Sequence, residues 1–301
     1  MDGVLLLDKP SGLSSNAALQ QAKRLFDAKK AGHTGTLDPL ASGLLPLCFG
    51  EATKFAQVLL DAPKEYLATV RFGVGTDTGD CEGRIVAERP VRFGLEELAA
   101  AAGRFVGVVQ QLPPRYSALK YRGRNYYEYA RAGIDVPRTP RPVEIRSLEV
   151  VGFADDVAML RVACGKGTYV RTLAEDLAGS LDTVGHLIGL RRTATGPFRV
   201  DEAIPLGALA ALDPVQRHGR LLAVDAPVAS VPIATLDHGA ALALLQGRGV
   251  PAPQGATGEF RAYEAGARFV GLVTARDGMF RPLRMIDAGT AAPDGTLAAE
   301  S

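Results

Sequence analysis

"AGHTGTLDPLASGLLPLCFGEATKF", residues 31–55, sets one carboxylate, Asp38, between a run rich in glycine and threonine and an apolar segment that opens on Leu44. An Asp-Pro pair most often marks a helix start, the aspartate capping and the proline entering the first turn. Here the pair closes a stretch holding Gly32, Thr34, Gly35 and Thr36, which gives a loop freedom and local hydrogen bonds. LLPLCF follows directly and is suited to burial. A carboxylate on such a loop, anchored by buried neighbours, is both accessible and well placed. The cap and the functional carboxylate both stay open at this level.

Upstream, residues 3–8 (GVLLLD) read as a buried strand, and DKPSGLSSN as a turn cluster ending in good N-cap residues. From Asn16 to Ala28 the apolar positions Ala18, Leu19, Ala22, Leu25 and Phe26 recur at helical spacing, and Lys29 and Lys30 close that helix where cations suit its dipole. Downstream, residues 65–72, 147–153 and 157–164 have strand composition, the last alternating. Residues 94–105 and 168–181 are amphipathic helices, with Val170, Leu173, Leu177 and Leu181 on one face of the second. Strands not regularly separated by helices predict an α+β domain with a mixed or antiparallel sheet. An Ala-, Leu- and Pro-rich helical connection over about 205–232 runs into a linker, which puts a boundary near residue 230. Beyond it, EFRAYEA, RFVGLVTAR and MFRPLRMI stand at hairpin-like spacing and predict a small β-rich domain over 231–290, with a disordered tail over 291–301.

Composition bounds the function. A chain of 301 residues that is 47% apolar and 22% charged can bury a core. Its three cysteines are far apart and include no C-x-x-C pair, which argues against a disulfide framework or zinc site and for a reducing compartment. No segment has the length and apolarity of a signal peptide or membrane span, so a cytoplasmic, soluble protein is expected. The net charge of +1 hides a local imbalance, because Arg115 to Arg146 holds eight Lys/Arg against three acidic residues, with Tyr116, Tyr121, Tyr126, Tyr127 and Tyr129 interleaved. Cations among flat rings suit a phosphate backbone with accessible bases, though a solvated helix face with buried tyrosines fits equally.

Several chemistries lose ground. GKGT at 165–168 lacks the upstream glycine of a P-loop, and DTGDCEG at 77–83 puts Gly79 and Cys81 where a calcium loop needs oxygen ligands. G-x-S-x-G and H-E-x-x-H do not occur, and His33, His186, His218 and His238 are scattered. No metal and no organic cofactor is expected.

GHTGTLDPLASGLLPLCFGEATK resembles the signature of the TruB-type tRNA pseudouridine synthases, which isomerise uridine 55 in the T-loop of tRNA. GVLLLDKPSGLSSN, KEYLATVRFGVGTDTGDCEG, QLPPRYSALKYRGRNYYEYARAGIDV, CGKGTYVRTLAEDL and HLIGLRRTATGPF are similar to that family's segments in its order, from Gly3 to about Phe198. The C-terminal region is loosely similar to a PUA-type RNA-binding domain. The resemblance implies a pseudouridine synthase domain over 1–230 with Asp38 as the catalytic carboxylate. It also implies Tyr66 stacking on the target base, Arg171 pairing with Asp38, Asp80 in the same ionic network, and Tyr169 and Leu190 lining the pocket. His33 falls where family members insert a ring into the space left by flipped nucleotides. The insertion over about 113–142, carrying Lys120, Arg122 and Arg124, would close over the T-arm stem-loop of tRNA, and no obligatory protein partner is implied.

The chemistry is consistent with that assignment. Burial alone would protonate a carboxylate in a closed pocket, and an adjacent Arg171 would oppose it. Taken singly, Tyr66 and Tyr169 read as core tyrosines, Leu190 as packing, Asp80 as a turn residue and Arg171 as a surface cation. Two other functions compete: a non-catalytic tRNA-binding or RNA-chaperone protein, and a glycoside hydrolase using Asp38 and Asp80 as an acid/base pair.

Overall fold

The computed structural model describes residues 1–265 and 268–287, so the tail expected over 291–301 and the last residues of the 231–290 region lie outside it. The chain builds its main sheet from β1 (Gly3–Lys9), β2 (Ser42–Phe49), β3 (Lys64–Phe72), β4 (Gly107–Gln111), β5 (Arg141–Ala154), β6 (Val157–Cys164), β7 (Gly185–Thr195) and β8 (Ile204–Pro205). Their order is β8-β1-β2-β7-β3-β6-β5-β4 within an 11-stranded sheet. Pairing is antiparallel except at β1–β8 and β2–β7, which makes the sheet mixed, as its strand spacing predicts.

Alternation explains the central strand. Lys64, Tyr66, Ala68, Val70 and Phe72 of β3 are buried on one face. That face shares a core with Ala18, Leu19 and Ala22 of helix α1 (Ser15–Leu25), Leu98 of α2 (Leu95–Gly103), and Leu173 and Leu177 of α3 (Val170–Gly179). Ser14 caps α1, its Oγ accepting from the Ala17 N–H at 3.1 Å. The helix stops at Leu25 and does not reach Lys29 and Lys30. Asp27 turns the chain at φ 47°, and the Ala28 N–H donates back to the Lys23 carbonyl at 3.0 Å, so these lysines lie past the helix end.

The parallel join of β2 to β7 depends on a glycine. Gly43 stands opposite Arg192 at φ +100°, and a Cβ there would lie 2.3 Å from the Arg192 carbonyl oxygen. Gly43→Ala is expected to destabilise the fold by about 3 kcal/mol or more, at the upper end of ordinary substitutions, read as a lowered denaturant midpoint and a fall in soluble yield.

A second sheet, five-stranded, has the order β9-β11-β12-β13-β10, from β9 (Ile233–Leu236), β10 (Val250–Pro251), β11 (Gly258–Glu264), β12 (Arg268–Arg276) and β13 (Met279–Met285). Its core of Leu236, Val270, Val273 and Phe280 is closed by Leu244 of helix α4 (His238–Leu245), an element the sequence reading missed. Phe55 and Val228 pack with Leu272 and Ile286 between the two sheets. Beside them the Lys54 ammonium bridges Glu51 at 2.8 Å and Asp287 at 2.6 Å.

Candidate active site

No helix begins at Asp38. Residues 34–41 are irregular, and the Ala41 N–H donates to the Asp38 carbonyl at 3.0 Å, turning the chain into β2. This excludes the cap reading. The loop is fixed from several sides. Ser15 Oγ donates to the Leu37 carbonyl at 3.0 Å and accepts from the Leu37 N–H at 2.7 Å, a two-point grip beside Asp38. The Gly12 N–H donates to the Pro39 carbonyl at 2.8 Å. Underneath, the buried guanidinium of Arg192 donates from Nε to the Leu44 carbonyl at 2.7 Å and from Nη2 to the Gly35 carbonyl at 3.2 Å. One cation thus ties both ends of the loop.

Asp38, Asp80 and Arg171 come together from three distant segments. Arg171, on the first turn of α3, is 5% exposed and sets Nε 3.0 Å from Asp38 Oδ2 and Nη1 3.6 Å from Asp80 Oδ2. Its Nη1 and Nη2 also donate to the carbonyls of Thr78 at 3.0 Å and Tyr116 at 2.7 Å. Asp80 is buried and accepts from Thr78 Oγ1 at 2.6 Å, and its segment is bridged to Leu187 of β7. A guanidinium shared by two carboxylates leaves neither poised as the independent acid of a hydrolase pair. Asp38 keeps 37% of its side chain open to the cleft. Desolvation nevertheless pushes its pKa above the ordinary carboxylate value, helped by the charge of Asp80 and opposed first by Arg171 and then by Lys9. The offset expected from Arg171 is present, and burial outweighs it.

A cleft of about 600 Å³ opens over this cluster, lined among others by Ser14, Ser15, Asn16, His33, Asp38, Asp80, Glu82, Ser117, Tyr127, Arg131 and Arg171. His33 is half-buried on that lining, and burial and the nearby Arg192 hold its imidazole below its usual pKa, which favours the neutral ring. Tyr66, Tyr169 and Leu190 do not line the cleft. Tyr66 is 9% exposed, paired in register with Arg192, its phenol pushed to higher pKa by burial. Leu190 is half-buried against the main core. Tyr169 precedes α3, its backbone N–H and carbonyl both bound to the Gln111 amide, its ring 5.4 Å from the Arg141 guanidinium. Lys120, Arg122 and Arg124 lie on a small hairpin, Lys120–Tyr121 paired with Arg124–Asn125, outside the cleft lining. There Arg122 stacks over Tyr121 and Arg124 over Tyr129, each at 5.3 Å, so exposed cations are paired with half-buried rings.

Three positioning groups were missed in the sequence. Lys9 is fully buried, donating to the carbonyls of Pro10 at 2.8 Å and Leu13 at 2.6 Å, and desolvation lowers its pKa to about 8 against the pull of Asp38. Ser15 and Arg192 hold the Asp38 loop. The signal was faint: a serine in a cap cluster and cations in turn or strand contexts ordinarily face water.

The N-terminal domain of the TruB family pseudouridylate synthases matches residues 23–170, and the C-terminal domain of pseudouridine synthase II TruB matches 232–286. A protein of Aromatoleum aromaticum called tRNA pseudouridine synthase B is 57% identical over 272 residues, covering 90% of this chain and 88% of that protein. One of the same name from Azoarcus sp. is 52% identical over 290 residues, 96% of each. In fold, the chain is similar to a solved Cbf5-Nop10-Gar1 complex (TM-score 0.69, 24% identity, 96% of this chain and 84% of that one). It is likewise similar to an archaeal box H/ACA sRNP Nop10-Cbf5 complex (TM-score 0.70, 22% identity, 94% and 85%). Identity above half, sustained over nine-tenths of the sequence, means that the chain belongs to the TruB family of pseudouridylate synthases.

Proposed function

We propose that this chain converts uridine to pseudouridine in tRNA, acting at position 55 of the T-loop, with Asp38 as the reacting carboxylate. The observation that carries the reading is a cleft-facing Asp38 ion-paired to the buried Arg171. The reaction breaks the N1–C1′ bond, turns the uracil and forms a C5–C1′ bond, while the C5 proton leaves to water and N1 takes up a proton. No electron or phosphoryl group is transferred, so one carboxylate can serve without a cofactor.

The target base must leave its stack, costing a few kcal/mol, and an aromatic ring can return about 1–3 kcal/mol by stacking. Tyr66 supplies that ring in this reading, and Tyr169 and Leu190 the walls, which requires the cleft to open beyond its present lining when RNA binds. His33, neutral and at the cleft, takes the space the nucleotide vacates. The hairpin cations Lys120, Arg122 and Arg124 reach the phosphates of the T-arm, and residues 231–290 add a further RNA-contacting unit to the catalytic residues 1–230. A-form grooves hide base edges, so recognition reads stem-loop shape and flipped bases. The reading places the work in the cytoplasm; among the described residues no helix is long and apolar enough to cross a membrane.

Two measurements test this. An unmodified tRNA transcript incubated with the protein and mapped for pseudouridine is expected to carry it at position 55; modification confined to another arm would overturn the T-loop assignment. The pH profile of kcat/KM is expected to show an acidic limb above the ordinary carboxylate value of 3.8, because activity needs the ionised form and burial raises the Asp38 pKa. A limb at or below that value would contradict the burial argument.

A further inference from the structure

We propose that the active-site cleft contains a subsite for an RNA phosphodiester, formed by the N-terminal end of α1, the hydroxyl of Ser117 and the guanidinium of Arg131. It rests on the reading above and adds a recognition element to it. A flipped nucleotide enters a cleft still joined to its two backbone phosphates, so the walls must meet at least one anion.

Four observations converge on one cleft. The first turn of α1 contributes Ser14, Ser15 and Asn16 to the lining. The helix has 11 residues and no acidic side chain in that turn. Its Ala17 N–H is taken by Ser14 Oγ and its Ala18 N–H by the Ser14 carbonyl, which leaves the Ser15 and Asn16 N–H groups as the unpaired, positive end of the dipole. Second, Ser117 is 5% exposed, lines the cleft, and its Oγ has no hydrogen-bond partner in the protein. A buried hydroxyl without a protein partner is costly unless a water or a ligand completes it, and of the three such hydroxyls among the described residues, Ser117, Thr172 and Thr195, only Ser117 lies on the cleft lining. Third, Arg131 lines the same cleft 5.5 Å over the Tyr127 ring, with no carboxylate at ion-pair distance among the described residues. Fourth, Asn16 is exposed on the lining and accepts from Gln20 through Oδ1 at 3.4 Å, which leaves its NH2 available to donate.

The carboxylates on the lining set the limits of the subsite. Asp38 and Asp80 are bound by Arg171, and Glu82 is the third. A dipole end, a hydroxyl and a forked cation match the tetrahedral oxygens of a phosphodiester better than a neutral sugar, which would not use Arg131.

The test uses the full chain and a T-arm stem-loop RNA, with a neutral methylphosphonate placed at either linkage flanking the target uridine. Asn16→Asp adds a negative charge where the α1 dipole welcomes it, so the fold is expected to melt at or above the wild-type temperature. RNA Kd and KM are expected to rise on the order of tenfold, with the salt slope of binding reduced by about one. Ser117→Ala is expected to weaken binding without altering that slope. One methylphosphonate is expected to weaken wild-type binding and to weaken Asn16→Asp binding much less. Unchanged Kd and salt slope in Asn16→Asp, or a methylphosphonate penalty equal in both proteins, would overturn the subsite. Failure of the wild-type protein to make pseudouridine would instead overturn the function, and the binding measurements would still decide the subsite.

Discussion

Asp38→Asn lowers pseudouridine formation on the order of 10^4-fold or more, the loss seen when a group essential to covalent or proton-transfer chemistry is removed, while the Kd for tRNA stays within about threefold. The fold is expected to survive the change. The folded-state pKa of Asp38 lies above its ordinary value, so the stability this group contributes is present at low pH and is lost as pH rises through the raised value. At neutral pH the charged Asp38 is therefore a burden on folding, and the uncharged asparagine is expected to melt at the wild-type temperature or above it. Arg171 keeps Asp80 as a partner in the variant. An inactive protein of undiminished stability that still binds tRNA separates catalysis from the RNA-chaperone alternative, whose action would be untouched.

Arg171→Met has the second largest expected effect, and it acts on fold and chemistry together. The guanidinium is buried, and its loss leaves Asp80 as an uncompensated buried charge and the Thr78 and Tyr116 carbonyls without donors. Breaking such an arrangement costs about 3–5 kcal/mol. For a protein of this size that corresponds to a fall in melting temperature on the order of 10 °C. The Asp38 pKa also climbs further once its main opposing charge is gone, so residual activity is expected to move to higher pH. Arg171→Lys restores the charge but not the fork that reaches two carboxylates and two carbonyls, and is expected to recover stability better than turnover. An Arg171→Met protein with wild-type melting and an unmoved acidic limb would refute the role given to this residue.

Much of this arrangement could be read in the sequence because its physics is local. The strand composition around Tyr66, the alternation over 157–164 and the apolar face of Leu173 and Leu177 predicted two strands and a helix, because one side of each must face a core. Asp38 stood out because a loop of glycines and threonines is an odd place for a mere cap. The convergence of Asp38, Asp80 and Arg171 could not be derived from spacing, since it depends on strand order; the resemblance to a known family supplied it. Lys9 and Arg192 escaped notice because a cation is assumed to face water, and only the structure shows both fully enclosed by carbonyls. The end of α1 was misjudged because a positive φ at Asp27, which periodicity does not report, turned the chain before the lysines. Tyr66, which alternation alone reads as a core tyrosine, is buried beside Arg192, and its stacking role rests on the family resemblance and not on its placement here.

The most direct measurement is tritium release from a tRNA transcript labelled at uracil C5, using EDTA-treated protein, because the label leaves only when C5 takes up the glycosidic bond. Wild-type protein is expected to release the label at the target position with EDTA present, and Asp38→Asn to release none above background. Retention of all label by a wild-type protein that binds the transcript, or equal release by the two proteins, would contradict the account.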